Sequence, residues 1–292
     1  MSLPATLAAL LSALPAAGPA PAPPPPPPPA LTIVPGAEYA HDAPTSDATG
    51  LLHIRVASVF QSKPTEIRIL APNNVADPLA PDLLFILPVE PEGQTRYGDG
   101  LDEIRRLGLH EKLGFIAIAP GFSELPWYAD HPTDPKRRDE SHFLRVVLPV
   151  VAKIYPSLPS RRRLLGFSKS GWGAYSLILR NPDLFSAAAA WDAPLMMEKP
   201  DQFETPQAFV TQQHFDGYRV ARLLRDKAEA FRAAKRLVLA GYGNFREHGQ
   251  RAHALLDELR IPSAWRDGPW RRHAWNTGWL EEVVPDLMAL RY

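Results

Sequence analysis

The sequence predicts an α/β fold with a mostly parallel central sheet flanked by helices. Two observations predict it. From about residue 50, short apolar runs alternate with segments of helical spacing, the order that builds parallel sheets. Two of the runs, LLFILPV (83–89) and GFIAIAP (114–120), are continuously apolar, as strands covered on both faces are.

In chain order, HIRVASVF (53–60) and TEIRILAP (65–72) read as a strand pair. LLFILPV follows, then a short helix in GLDEIRRLGL, then GFIAIAP. Phe143, Val147, Val151 and Ile154 recur at helical spacing. RLLGF (163–167) is the next strand, and the helix after it runs to Arg180, where Asn181-Pro182 stops it. FSAAAAW (185–191) and RLVLAGY (236–242) are strand-like. Ala252, Leu255, Leu256 and Leu259 mark a further helix face; SAWRDG (263–268) reads as the last strand, and a helix from about Leu280 to Leu290 closes the chain. Residues 50–292 read as one domain.

The first thirty residues differ from the rest. They hold 11 of the 33 prolines, end in PPPPPPP at 23–29 and carry no charged side chain. A proline run favours an extended spacer over packed structure. Before it, LAALLSALPAAGPA resembles the apolar region and small-residue cleavage site of a secretory signal, although MSLPAT supplies no Lys or Arg ahead of it. The expectation is a signal-like, proline-rich tail over 1–30, a linker over 31–49, and export to the periplasm or the exterior.

Composition excludes several classes. Acidic and basic residues balance at 32 each, so nothing points to a nucleic-acid partner. Without cysteine there is no disulfide, no thiolate metal site and no Cys nucleophile. No run is long enough to span a membrane. At 292 residues, 45% of them hydrophobic, the chain can bury a sizeable core.

GFSKSGWGA (166–174) carries the strongest chemical signal. A nucleophile elbow needs a strand, a strained turn and a helix in that order, with small residues where the two backbones approach. RLLGF-Ser168-KSGWGAYSLILR supplies all three, with Ser168 as nucleophile. Gly166 stands two before it; Ser170 replaces the usual second glycine, and Gly171 and Gly173 keep the first helical turn slim. A second Gly-Phe-Ser, at 121–123, also follows a strand, but Leu125 and Pro126 put bulk where a slim helix should begin.

The run from PWYAD (126–130) through SHFLRVVLPVVAKIYP to RRRLLGFSKSGWGAYSLILRNPDLFSAAAAWDAP resembles the esterase D-like esterases of the α/β-hydrolase superfamily. That family includes feruloyl and acetyl-xylan esterases, enterochelin esterases, S-formylglutathione hydrolases and mycolyltransferases. Its usual elbow is Gly-x-Ser-x-Gly-Gly, then x-Gly-Ala, a helix and a Pro-Asp-x-Phe turn. Gly166, Ser168, Gly171, Gly173, Ala174 and Pro182-Asp183-Leu184-Phe185 match in register, and Ser170 departs. The resemblance covers roughly residues 50–290 and implies the α/β-hydrolase fold.

A serine hydroxyl needs a base to take its proton. In this fold the base follows the last strand, and His273 in RRHAWNTGW stands there, with Trp275 completing the His-x-Trp that the family often has. His248 and His253 are five apart, off one helix face, so a metal site is not indicated. The oxyanion hole needs two backbone N–H groups. By position these are Lys169 and Glu90, although Pro88-Val89 replace the family's usual His-Gly or Ser-Gly.

The third triad member stays open. The family's acid follows the RLVLAGY-like strand, where this chain has Gly241-Tyr242-Gly243-Asn244. Asn244 could orient the imidazole but brings no charge; Asp192 in AWDAP and Glu247 are the carboxylate candidates, and Asp267 is close in sequence but expected to point away. Trp127, Trp172 and Trp275 each neighbour a presumed catalytic loop and are expected to wall a substrate pocket.

The expected activity is hydrolysis of a small-molecule or carbohydrate-linked carboxylic ester through an acyl-enzyme on Ser168, without a cofactor. An acyltransferase on the same scaffold is one alternative. A fold-retaining binding protein that has lost the chemistry is the other, favoured by Asn244, Ser170 and Pro88-Val89.

Overall fold

The computed structural model describes residues 30–75, 77–91 and 96–291. The chain divides into two units, Met1–Ala30 and Leu31–Tyr292. All of the signal-like, proline-rich segment except Ala30 lies outside the described residues. The architecture below is that of the second unit.

Its strands are β1 (Tyr39–His41), β2 (Thr45–Ser46), β3 (Leu52–Ser58), β4 (Thr65–Leu70), β5 (Asp82–Ile86), β6 (Phe115–Ala119), β7 (Arg162–Phe167), β8 (Ala187–Trp191), β9 (Leu237–Ala240) and β10 (Ser263–Arg266). They form one sheet in the order β1-β3-β4-β6-β5-β7-β8-β9-β10, with β2 paired to β3. From β6 to β10 all pairings are parallel. The β1, β2, β3 and β4 end is joined by antiparallel pairings. The sheet is therefore mixed and mostly parallel.

Side-chain alternation explains both parts. In β5, Leu83 and Phe85 enter one buried cluster, while Leu84 and Ile86 enter the other. β9 does the same, with Leu237 and Leu239 on one face and Val238 and Ala240 on the other. Both faces are covered, one by helices that include Lys169–Arg180 and Val220–Arg232, the other by helices that include Gly100–Leu107 and Leu280–Ala289. A continuous apolar run is what such a strand requires. In β3 and β4, Ile54, Val56, Ile67 and Ile69 are buried, but Glu66 between them is exposed and Arg55 and Arg68 are half-buried. That alternation belongs to an antiparallel pair with one partly wet face.

Two expectations need correction. Residues 31–49, read as a linker, contribute β1 and β2 to the sheet edge. The segment between β8 and β9, left without helices above, holds Thr205–Phe209, Gln212–Asp216 and the long helix Val220–Arg232. Val220, Leu223, Leu224, Ala228 and Phe231 bury one face of that last helix, a spacing visible in the sequence. No helix among the described residues is long and apolar enough to cross a membrane.

Candidate active site

The site forms where the strand ends β5, β7 and β8 meet the loop that precedes the last helix. β7 ends at Phe167, and Ser168 sits at the turn with φ 56° and ψ −130° before the helix Lys169–Arg180. A non-glycine residue at positive φ is strained by about 1–3 kcal/mol and needs the surroundings to hold it. Ser168 N–H donates to the Trp191 carbonyl at 3.0 Å, and the Ser168 carbonyl accepts from Gly171 and Trp172 N–H at 3.0 and 3.2 Å. The turn closes so tightly that a Cβ on Gly166 would lie 2.0 Å from the Ser170 carbonyl oxygen. One on Gly171 would lie 2.8 Å from Ala193 Cβ and 3.3 Å from Ala190 Cβ, so the alanines in and just after β8 are small for the same reason.

Ser170, the departure from the glycine pattern, is completely buried. Its hydroxyl donates to the Phe167 carbonyl at 2.9 Å and accepts from Phe167 N–H at 3.0 Å. The side chain thus bridges the two ends of the turn and leaves no polar atom unpaired.

His273 Nε2 lies 3.0 Å from Ser168 Oγ, and its Nδ1 lies 2.5 Å from Asp192 Oδ2. Asp192 directly follows β8 at φ 44°, and its side chain is sealed from solvent. Its carboxylate also accepts backbone N–H bonds from Gly243 (3.1 Å), Asn244 (2.8 Å) and Phe245 (2.8 Å). A buried carboxylate is tolerable only when its lone pairs are filled in this way. GYGN supplies that cradle: a Cβ on Gly241 would meet Asp192 N at 2.4 Å, and one on Gly243 would meet Asp192 Oδ2 at 2.3 Å. Rings of Phe167 (4.4 Å between centroids), Phe245 (5.5 Å) and Tyr97 (5.8 Å) confine the His273 imidazole.

Of the acid candidates, the structure brings Asp192 alone to His273. The Asn244 side chain is exposed, and its contribution is the backbone N–H on Asp192. Glu247 is exposed in the first turn of the helix Arg246–Glu258 and makes no bond to His273. Asp267 pairs with Arg246 at 2.8 Å.

A cavity of about 370 Å³ opens at Ser168 and His273. Glu90, Lys169 and Trp127 line it, as do Tyr97, Phe203 and Phe245, which sequence reasoning passed over. Trp127 is fixed twice: its backbone N–H donates to Asp139 at 3.0 Å and its indole N–H to the Phe203 carbonyl at 3.0 Å. Trp172 and Trp275 are not walls. Trp172 lies behind Trp127, edge to face at 5.5 Å, and Trp275 stacks against Trp279 at 5.3 Å in the core on the other sheet face.

The loop after β5 is tied to the elbow by a residue that sequence reasoning did not single out. Tyr128, fully buried at φ 54°, donates its hydroxyl to the Pro88 carbonyl at 2.5 Å. Its ring lies against Gly173, where a Cβ would come within 2.1 Å. The PWYAD run was the available signal. Among the described residues, no group of three metal-ligating side chains stands together.

Residues 121–277, more than half of the chain, match the family model described as "Putative esterase". The chain belongs to that esterase family, which makes it a carboxylic ester hydrolase. Its fold is similar to that of an S-formylglutathione hydrolase from Agrobacterium tumefaciens: 16% identity, TM-score 0.63, 85% of this chain and 98% of that one covered. It is similar also to the fluorophosphonate-binding serine hydrolase F of Staphylococcus aureus, at 17% identity and TM-score 0.62 over 81% of this chain and 96% of that one. A ferulic acid esterase matches at 16% identity and TM-score 0.57, over 87% and 96%. No curated protein matches the chain.

Proposed function

We propose that this chain is a serine esterase of the α/β-hydrolase fold, working through an acyl-enzyme on Ser168. The observation that carries the proposal is the continuous hydrogen-bonded line from Asp192 through His273 to Ser168. With the Asp192 carboxylate as acceptor, His273 holds its proton on Nδ1 and leaves Nε2 free to accept the serine proton. Ser168 Oγ attacks the ester carbonyl as His273 takes that proton. The imidazolium forms beside Asp192, whose charge is already held by three backbone N–H groups and needs no rearrangement.

The carbonyl oxygen, turning negative, meets the backbone N–H of Lys169 at the start of its helix, where the helix dipole also favours negative charge. Glu90 N–H is the second donor; Glu90 and Lys169 line the same cavity as Ser168. His273 then protonates the leaving alcohol. A water, activated by His273 in the same way, releases the acid. The aromatic walls suit a small-molecule or carbohydrate-linked ester with an apolar portion.

The reading as an inert, fold-retaining binding protein rested on Asn244, Ser170 and Pro88-Val89. Asn244 loses that weight because the proposed acid comes from β8 instead, and Ser170 because its hydroxyl closes the turn. The test is covalent labelling with a fluorophosphonate, which reports an activated serine. Wild type is expected to label and Ser168→Ala to remain unlabelled. A folded wild-type protein that does not label would sink the proposal.

A further inference from the structure

The residue after the proposed nucleophile is a lysine, and among the described residues its side chain has no hydrogen-bond or ion-pair partner. Lys169 is nine-tenths buried, with 9% of its surface exposed, and it lines the cavity at Ser168. A charge taken out of water is normally paired or hydrogen-bonded. The carboxylates of Glu204, Glu90 and Asp139 stand near enough to act on the Lys169 ammonium through space, but among the described residues none is within ion-pair distance. Burial outweighs their attraction and pushes the ammonium below its usual range.

Depth separates these charges. Glu204 is exposed and Glu90 half-buried, so solvent screens the carboxylates of the cavity more than it screens the lysine. Of the charged side chains lining the cavity, Lys169 is the one most withdrawn from solvent. His273 must protonate the leaving alcohol, so the alcohol portion departs past His273 and the Phe245 ring beside it. Lys169, on the helix side of Ser168, is left for the acyl portion.

We propose that the Lys169 side chain is a specificity determinant that accepts a carboxylate on the acyl portion, so that the preferred substrates are monoesters of dicarboxylic acids. This rests on Ser168 as the acylated residue. The unpaired ammonium gains the partner that the folded protein withholds, and does so only when an anionic acyl group is bound. An exposed ion pair is worth little, but one closed off from water by the substrate is worth considerably more.

The test compares two substrates of equal length, the 4-nitrophenyl monoester of adipic acid and 4-nitrophenyl hexanoate. Their kcat/KM ratio cancels any loss common to both, including one transmitted through the Lys169 backbone. Lys169→Met is expected to lower the adipate-to-hexanoate ratio by about tenfold or more, and Lys169→Arg to retain most of it. A ratio within twofold of wild type in Lys169→Met overturns the proposal. Should Lys169→Met fail to fold, the wild type decides: its kcat/KM on the adipate monoester is expected to exceed that on the hexanoate by about tenfold or more, and a ratio at or below one overturns the proposal. Ser168→Ala is the separate control. Activity surviving there on both substrates would remove the nucleophile reading itself, whatever the ratio does.

Discussion

Gly121-Phe122-Ser123 and Gly166-Phe167-Ser168 are the same tripeptide, set at the carboxyl ends of the two strands that flank β5. Both glycines are required by close approach: a Cβ would lie 2.5 Å from the Glu66 carbonyl oxygen at Gly121 and 2.0 Å from that of Ser170 at Gly166. Both phenylalanines pack against a histidine, Phe122 on His142 at 5.7 Å and Phe167 on His273 at 4.4 Å. The serines differ. Ser123 is buried, donates its hydroxyl to Gln61 at 2.8 Å and accepts from Ser62 N–H at 3.1 Å. Ser168 is turned to positive φ and faces a cavity with an imidazole at 3.0 Å. What separates the proposed nucleophile from a structural serine is the following residues: Lys169-Ser170-Gly171 start a helix, and Glu124-Leu125-Pro126 do not.

The largest effect should come from exchanging the two hydroxyls for hydrogen. Ser168→Ala is expected to lower kcat on a nitrophenyl ester on the order of 10⁵-fold or more. Ser123→Ala should leave kcat within a few-fold and cost about 1–2 kcal/mol in stability, seen as a lower denaturation midpoint. If the activity losses were similar, the comparison would collapse. Next comes the acid: Asp192→Asn should lower kcat about 10⁴-fold, and Glu247→Gln by less than twofold. Equal effects would remove Asp192 from the line.

These two pairs also show what was legible. The elbow could be read because all its constraints are local: a strand, two slim residues and a helix lie in one stretch of chain. His273 could be read from its place after the last strand. The acid could be narrowed only to Asp192 and Glu247, because Asp192 meets His273 across 81 residues and its cradle is built by glycines of a different loop. Asn244 stands in the slot where the family's acid is expected, and Gly241 and Gly243 before it make room for the carboxylate of Asp192. Two of the three tryptophans expected to wall the pocket fail for a related reason, while Trp127 lines it. Neighbourhood in sequence says nothing of side-chain direction, and Trp172 and Trp275 turn inward to the two cores. The three residues of β1 are too few to show a strand period.

The two histidines offer a sharper contrast through pH. His142, completely buried against Phe122, is pushed down to about 4 by desolvation. The unfolded chain takes up that proton near 6.5, so this contribution is whole above 6.5 and is lost as pH falls toward 4. Its full size is about 3 kcal/mol at most, from a shift of roughly 2.5 pH units. Asp139, whose carboxyl desolvation pushes up to about 7, works in the opposite direction over the same range. The measurement is therefore the difference in unfolding free energy between wild type and His142→Leu. That difference is expected to narrow steadily from pH 7 to pH 4, and a constant difference would contradict a buried neutral His142.

The smallest effect concerns the link between the two regions. Tyr128 lies five residues beyond Ser123, packs its ring on Phe122 at 5.3 Å and on Gly173 of the elbow helix, and gives its hydroxyl to Pro88. The segment after the second Gly-Phe-Ser therefore reaches the elbow: it carries the side chain that holds Pro88, two residues before the proposed donor Glu90. Tyr128→Phe keeps the ring and removes only the bond at 2.5 Å. Deleting an oxyanion donor outright costs about 10²–10³ in kcat, and loosening the loop that carries one should cost about tenfold. A loop that merely stabilises the fold would lower the melting temperature without that loss. The expected signature is a kcat about tenfold lower with KM and the pH profile little changed, because binding and the His273–Asp192 pair are untouched. If kcat stays within twofold while stability drops, Tyr128 belongs to the packing around Phe122 and the two Gly-Phe-Ser turns are functionally separate.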